Sequence, residues 1–209
     1  MSPLSASRRG QSLVEFALVL PMLLVLLLGI ADFGRVFQAS ITIEAATRGG
    51  AEAGAIERLR NHPPVPGDST EVGYYDDLHR VAALAACSEA KVLANTTFAS
   101  DGTCTSMPVV RVCVHDGQDP QCGKPVPGFG SSIPSQCSGV ADMADHPDNA
   151  SPGEPASHTV EVRMCYRFTT LFNLDVALPF NWGLSLGEIW LQRAREFAVD
   201  CPPGQVSTC

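Results

Sequence analysis

Positive charge is scarce in this sequence. The chain of 209 residues carries 14 Lys and Arg against 22 Asp and Glu, a formal net charge of −8. Proteins bind nucleic-acid backbones through clustered cations, so this balance excludes a broad nucleic-acid surface. The length is sufficient for one ordinary domain, or for a small domain with an appendage.

Catalytic signatures are also missing. The sequence has no GxSxG, HExxH or P-loop motif and no glycine fingerprint after a predicted strand. Asp76 and Asp77 are adjacent rather than facing, which is typical of a solvated first helical turn. The scattered histidines, including His79 on a predicted helix, are expected to be exposed. We therefore expect no enzyme, no metal site and no cofactor.

Charged residues are absent from residues 16–31, and this part of the sequence is almost entirely apolar. As a helix, residues 11–31 span about 30 Å, the thickness of the hydrocarbon core of a bilayer. Arg8 and Arg9 immediately precede this stretch. The positive-inside bias therefore predicts a single-pass protein with a cytoplasmic N-terminus and with the residues after about 32 outside the membrane.

A cleaved secretory signal is the first alternative, because Gly29 and Ala31 form a small-x-small pattern. The apolar stretch, however, exceeds the usual length of about 7 to 15 residues, and Glu15 lies at its entrance. A carboxylate there costs on the order of 1–3 kcal/mol unless it reaches the headgroups or is paired. Taken alone, Glu15 is explained by two accounts equally well. Its side chain either reaches the headgroups, with Arg8 or Arg9 nearby, or has a functional role.

Cysteines occur only after the apolar stretch. An even number of cysteines on the exported side of a membrane predicts disulfides, although the spacing does not determine their pairing. The absence of CxxC argues against thioredoxin-like and zinc-ribbon sites. A metal site that uses Cys113, His115 and Cys122 is a minor alternative. The disulfide candidates are Cys87, Cys104, Cys113, Cys122, Cys137, Cys165, Cys201 and Cys209.

The residues around Glu15 form an ordered pattern. Two arginines and Gly10 are followed by four residues, then by Glu15, an aromatic residue and the apolar run. This pattern resembles the processing site of type IV prepilins. The resemblance implies that a prepilin peptidase cleaves after Gly10 and leaves Gln11 as the new N-terminus. It also implies that Glu15 docks subunits by pairing with the N-terminal amine of a neighbour.

Residues 10–37, GQSLVEFALVLPMLLVLLLGIADFGRVF, are similar to the N-terminal signature of TadE-like proteins, the minor pseudopilins of the tight adherence (Tad, or Flp) pilus machinery. The segments VEVRMCYRF, ALPF and EIWLQRAREFAV resemble parts of that family's soluble region, whereas the eight cysteines depart from its pattern. The resemblance implies pilus assembly, with roles in cell adhesion or secretion, at the bacterial inner membrane. The implied partners are other pilin or pseudopilin subunits, the Tad inner-membrane machinery and the lipid bilayer.

Beyond the cytoplasmic leader at 1–10 and the membrane helix at 11–31, helical periodicity predicts a stalk over residues 32–60, before Asn61-His62-Pro63-Pro64. Ala46, Gly50 and Gly54 recur four residues apart in this stalk. Glycine in a helix interior costs about 1 kcal/mol relative to alanine, so close approach of another helix is expected to compensate. The stalk packs either on a partner helix or on the chain's own domain, and different faces can serve both.

Residues 61–209 are predicted to form an extracytoplasmic α+β domain. We expect a helix over 74–94, strands over 109–114, 159–168 and 188–199, and a long exposed Gly/Pro-rich loop over 115–158 stapled by cysteines. The predicted fold class is therefore α+β: a long N-terminal transmembrane and stalk helix, then a small disulfide-stapled domain with a helix and an antiparallel sheet.

Two other functional classes compete with pilus assembly. One is a signal-anchored extracytoplasmic binding module, disulfide-stapled and without a pilus role, which predicts an uncut anchor and indifference to Glu15. The other is a membrane-tethered redox or metal protein that uses the cysteines, which closed disulfides would contradict.

Overall fold

A computed structural model describes residues 11–61, 71–115, 121–126, 133–141, 159–170, 175–178, 182–185 and 187–199. The chain divides into two compact units, the N-terminal unit (Met1–Gln38) and the C-terminal unit (Ala39–Cys209). The predicted fold class is confirmed, because a long apolar helix precedes a second helix, an antiparallel sheet and disulfides.

The first helix, α1 (Gln11–Arg60), is 50 residues long. It contains Pro21 and carries Arg58 and Arg60 in its last turn, where cations favour the negative end of the helix dipole. The helix therefore ends at the residue that precedes the Asn-His-Pro-Pro stop signal.

The second helix, α2 (Glu71–Glu89), is followed by a 3₁₀ turn (Ala90–Val92). It begins three residues before the predicted helix at 74–94. The predicted apolar face is the buried face, since Leu78, Ala82 and Ala86 are completely inaccessible to solvent.

Four antiparallel strands form the main sheet, in the order β2-β1-β3-β6. A separate hairpin pairs β4 with β5. The three predicted strands are observed with nearly the predicted limits as β1, β3 and β6. The strands are β1 (Val109–His115), β2 (Gln121–Cys122), β3 (Thr159–Thr169), β4 (Asp175–Leu178), β5 (Trp182–Ser185) and β6 (Glu188–Ala198).

The central strand β3 is covered on both faces, and its residues alternate between them. On one face, Val160 touches α1, because a Cβ added to Gly54 would lie 2.8 Å from Val160 Cγ1. On the other face, Cys165 belongs to an apolar cluster with Val109 and Val140. The C-terminal unit therefore has a helical layer, a sheet, and a short covering segment (133–141).

Three disulfides cross-link the described part of the C-terminal unit, and only Cys137–Cys165 joins the covering segment to the sheet: Cys87–Cys104, Cys113–Cys122 and Cys137–Cys165. The disulfide prediction is confirmed for these six cysteines. Cys201 and Cys209 lie outside the described residues.

The prediction of one long exposed loop over 115–158 is wrong for the parts that the structure describes. His115 completes β1, residues 121–122 add a short strand to the sheet, and residues 138–141 form a helical turn, α3 (Ser138–Ala141). Cys137 and Val140 are buried. Because glycine and proline conceal the apolar periodicity, the sequence did not show that this segment packs on the sheet.

The helix that approaches the small residues of α1 is α2 of the same chain. A Cβ added to Gly50 would lie 2.9 Å from Ala86 Cβ and 3.0 Å from the Ala82 carbonyl oxygen. Ala46, in the same row, is fully buried. These residues thus contact the chain's own domain, and any role for this row toward another subunit stays a prediction.

We expect Gly50→Ala to lower the free energy of unfolding of the C-terminal unit by about 1–3 kcal/mol, because neither the Ala86 methyl nor the Ala82 backbone can turn away. The control is Gly73→Ala in α2, where an added Cβ meets nothing within 4 Å. That substitution should raise stability by up to about 1 kcal/mol through helix propensity. Urea titration measures the free energy of unfolding of both variants. If both substitutions changed it in the same direction, the close contact between α1 and α2 would be contradicted.

Candidate assembly site on the N-terminal helix

The part of α1 in the N-terminal unit presents apolar side chains on all sides. Its most apolar stretch has a mean hydropathy of 2.7, and none of that stretch is buried among the described residues. Leu13, Met22 and Phe33 are exposed by 69%, 75% and 74%. Within the described residues this is the one helix that is long and apolar enough to cross a bilayer. It indicates a single-pass membrane anchor.

Glu15 is the only charged residue between Gln11 and Ala31. It lies on α1 just beyond the first helical turn, and it is exposed between the exposed side chains of Val14 and Phe16. A carboxylate in such apolar surroundings is retained only where a cation or a hydrogen-bond donor meets it. In a bilayer the Glu15 carboxylate therefore needs such a group beside it.

The two residues of the predicted scissile bond are less fully described. Gly10 lies outside the described residues, and Gln11 is the first residue of α1, with no description of its side chain. The prediction of cleavage between them is thus not tested by the geometry.

The apolar stretch ends at an ion pair that the sequence analysis did not identify. Arg35 Nη1 donates to Asp32 Oδ1 at 3.1 Å. Opposite charges three residues apart on a helix face each other, so the spacing alone was an available signal. Two charged side chains thus follow closely after the predicted membrane segment at residues 11–31.

In the C-terminal unit, α1 is joined to β6 by charged contacts that the sequence also did not reveal. Arg193 Nη2 donates to Ser40 Oγ at 2.8 Å, and its Nε lies 3.5 Å from Glu44 Oε2. Arg195 donates to the other oxygen of Glu44. These side chains are 35–51% exposed, so each pair contributes at most about 1 kcal/mol. Their effect is to orient β6 against the helix.

A buried polar cluster lies on the opposite face of the sheet. Glu161 accepts a hydrogen bond from His115 Nε2 at 3.0 Å and another from Arg163 Nε. Arg163 Nη1 also donates to the Gly139 carbonyl oxygen at 2.7 Å, which ties the covering segment to β3. Burial raises the pKa of Glu161, but the two donors and their charge outweigh it and lower that pKa below its ordinary value.

The minor alternative of a metal site at Cys113, His115 and Cys122 is wrong. The two cysteines are bonded to each other, and His115 donates to Glu161. No group of three His, Cys, Asp or Glu side chains suited to a metal occurs among the described residues. The six cysteines in these disulfides also have no free thiol. They therefore cannot serve as reactive thiols in a membrane-tethered redox protein.

The expectation that His79 is exposed is also wrong. Its ring is half-buried between α2 and β2, and Nε2 donates to the Gln121 carbonyl oxygen at 2.9 Å. Burial lowers the pKa of His79. The ring lines a cleft of about 400 Å³ together with Asp76, Lys124 and apolar strand residues. Asp76 and Asp77 are exposed, as the sequence predicts for a first helical turn.

Comparison with known proteins identifies one family. The model of the family described as TadE-like protein matches residues 10–52. The resemblance seen in the sequence is confirmed over this segment, which contains Gly10, Gln11, Glu15 and most of α1. No curated protein and no solved structure matches the chain.

Proposed function

We propose that the protein is a minor pseudopilin that takes part in assembling or initiating a Tad-type pilus. The observation that carries the proposal is the TadE-like match over residues 10–52, which joins a prepilin-like cleavage pattern to an unburied apolar helix. The role is structural rather than catalytic. The apolar helix anchors the subunit in the bacterial inner membrane, with its N-terminus in the cytoplasm and the C-terminal unit outside.

Processing is the first step of the proposed function. A prepilin peptidase hydrolyses the Gly10–Gln11 peptide bond, which leaves a carboxylate on Gly10 and an ammonium group on Gln11. A glycine before the bond places no side chain against a peptidase that works at the membrane surface. The released leader carries Arg8 and Arg9, so the mature chain is more acidic than the precursor by two charges.

Docking is the second step. The Glu15 carboxylate of one subunit pairs with the new Gln11 ammonium group of its neighbour, which gives each charge the partner that lipid does not provide. The need for a new N-terminus makes docking conditional on processing. Uncut subunits thus stay in the membrane without entering an assembly.

The C-terminal unit is suited to the exported side of the membrane. Three disulfides cross-link it, and disulfides persist in oxidising compartments outside the cytoplasm. This observation agrees with the orientation that Arg8 and Arg9 favour.

N-terminal sequencing of the membrane-bound protein tests the processing step. The wild-type chain should begin at Gln11 in cells with the prepilin peptidase and at the unprocessed N-terminus in cells without it. Gly10→Leu should block cleavage. Gly29→Ala is the matched control and should be cleaved normally, because a Cβ there meets no atom of the chain within 4 Å. A mature chain that begins at Asp32 would show a cleaved secretory signal instead.

Counting pili tests the docking step. Glu15→Gln should leave a cleaved membrane protein but reduce pili about tenfold or more, since a loss of about 1.4 kcal/mol per contact is a factor of ten. Asp77→Asn, which removes an exposed carboxylate of α2, should change nothing. Normal piliation by Glu15→Gln together with an uncut anchor would favour the anchored binding module.

A further inference from the structure

The cleft beside His79 lies between two walls of the C-terminal unit. Helix α2 forms one wall, and the chain that runs beside β1 over residues 121–126 forms the other. The cleft has a volume of about 400 Å³, within the range of about 300–1,000 Å³ that is typical of small-molecule sites. The proposed role in pilus assembly uses none of its residues.

The interior of the cleft is apolar. Val110, Val112 and Val126 line it from the sheet side, and Ala83 lines it from α2. The alanine is small, which leaves space over the valines. Because apolar side chains dominate the lining of small-molecule sites, this interior suits a hydrocarbon group or an aromatic ring of a ligand.

His79 and Gly123 fix the two walls relative to each other. His79 Nε2 donates to the Gln121 carbonyl oxygen at 2.9 Å, which joins α2 to the opposite wall. Gly123 packs against the same ring, because a Cβ added there would lie 2.8 Å from His79 Cγ. Burial lowers the pKa of His79, so the ring is neutral at pH 7 and adds no charge to the cleft.

Two exposed charges of opposite sign line the cleft from different walls. Asp76 is on α2, and Lys124 is on the other wall. Neither side chain makes an ion pair or a hydrogen bond with another residue that the structure describes. Asp77, the next residue of α2, differs because it pairs with Arg80 at 3.1 Å and does not line the cleft. The Asp76 carboxylate and the Lys124 ammonium group are therefore both available to a ligand.

We propose that the cleft binds an apolar α-amino acid as its zwitterion. The ammonium group of the ligand pairs with Asp76, its carboxylate pairs with Lys124, and its side chain lies against the valines. A ligand with a single charge leaves one of the two cleft charges without a counter-ion. A ligand without an apolar side chain leaves the interior of the cleft unfilled.

Ligand-observed NMR on the full-length protein in lipid nanodiscs tests the proposal, with empty nanodiscs as the background. L-Phenylalanine and L-leucine should bind with a Kd of about 1 mM, as expected for ligands of about a dozen non-hydrogen atoms or fewer in an open cleft. Glycine, which has both charges but no side chain, should bind at least tenfold more weakly. No binding of either apolar amino acid, or equal binding of glycine, would overturn the proposal.

Two derivatives test the two charges of the ligand separately. N-Acetyl-L-phenylalanine lacks the ammonium group, and L-phenylalaninamide lacks the carboxylate. Each should bind about fivefold more weakly than L-phenylalanine, since an exposed ion pair contributes a factor of about five at most. If both derivatives bound as tightly as L-phenylalanine, the cleft would recognise only the ring and the proposal would be refuted.

Variants of the cleft assign each charge to its partner. Asp76→Asn should weaken binding of L-phenylalanine about fivefold and leave binding of N-acetyl-L-phenylalanine unchanged, because that derivative has no ammonium group to lose a partner. Lys124→Gln should weaken L-phenylalanine by the same factor and leave L-phenylalaninamide unchanged. Asp77→Asn is the matched control and should change none of the three affinities. Equal losses from Asp76→Asn and Asp77→Asn would place the ligand outside this cleft and contradict the proposal.

Discussion

Replacing Glu161 with alanine is expected to lower the free energy of unfolding of the C-terminal unit by about 3–5 kcal/mol. Glu161 is buried, and its two oxygens accept hydrogen bonds from His115 and Arg163. Without the carboxylate, the half-buried Arg163 guanidinium loses its charged partner and keeps only its hydrogen bond to the Gly139 carbonyl oxygen. The cost comes from the charge left behind more than from the loss of the pair itself.

The matched control is Glu188→Ala on β6, in the same sheet. Glu188 lies 3.5 Å from Arg167, but both side chains are about half exposed. Water screens that pair, so its removal should cost at most about 1 kcal/mol. Urea denaturation of the two variants measures the difference, and similar losses would show that the Glu161 cluster is open to solvent.

The pH dependence of stability provides a second measurement of the same cluster. The folded-state pKa of Glu161 is below its ordinary value of 4.5. Its carboxylate therefore contributes its full stabilisation above about pH 4.5, and that contribution is lost as the pH falls through the folded-state pKa. Glu161→Gln lacks this titration. The stability difference between wild type and Glu161→Gln should thus shrink as the pH falls below 4.5.

Removing the Cys137–Cys165 disulfide by alanine substitution at both positions is expected to lower the free energy of unfolding by about 3–4 kcal/mol. The bond closes a loop with a sequence separation of 28, and it joins the covering segment to the central strand. In the chain-entropy account a longer loop gives a larger effect on the unfolded state. Both cysteines are also buried beside Val109 and Val140, so their loss leaves space in an apolar cluster.

The control is the same substitution at Cys113 and Cys122, whose sequence separation is 9. The shorter loop predicts a smaller loss of about 2–3 kcal/mol. Thermal unfolding without reductant compares the two double variants. A larger loss for the shorter loop would show that strand pairing, rather than loop closure or the apolar cluster, sets the contribution of these disulfides.

The same disulfide acts together with the hydrogen bond from Arg163 to the Gly139 carbonyl oxygen. The two contacts hold a turn of the chain over one face of the sheet, and the helical layer covers the other face.

The sequence by itself determined the features that depend on local order along the chain. The apolar run predicts a helix through a bilayer because its length matches the hydrocarbon core. The proline pair after Asn61 marks the end of α1, and the alternation in residues 159–168 indicates the central strand. The stretch over residues 10–37 likewise led to the TadE-like resemblance, which the match over residues 10–52 confirms.

Only the tertiary structure decided which distant residues meet. Eight cysteines allow many pairings, and the approach of Cys137 to Cys165 depends on a covering segment whose composition is typical of a loop. Glu161 alternates with apolar residues as a surface carboxylate would, and its burial is possible because His115 and Arg163 reach it from neighbouring positions in the sheet. The glycines of α1 suggested a close helix, but the identity of that helix as α2 depends on contacts between residues far apart in the chain. Sequence patterns report which groups need a partner, whereas the fold determines the partner that lies within reach.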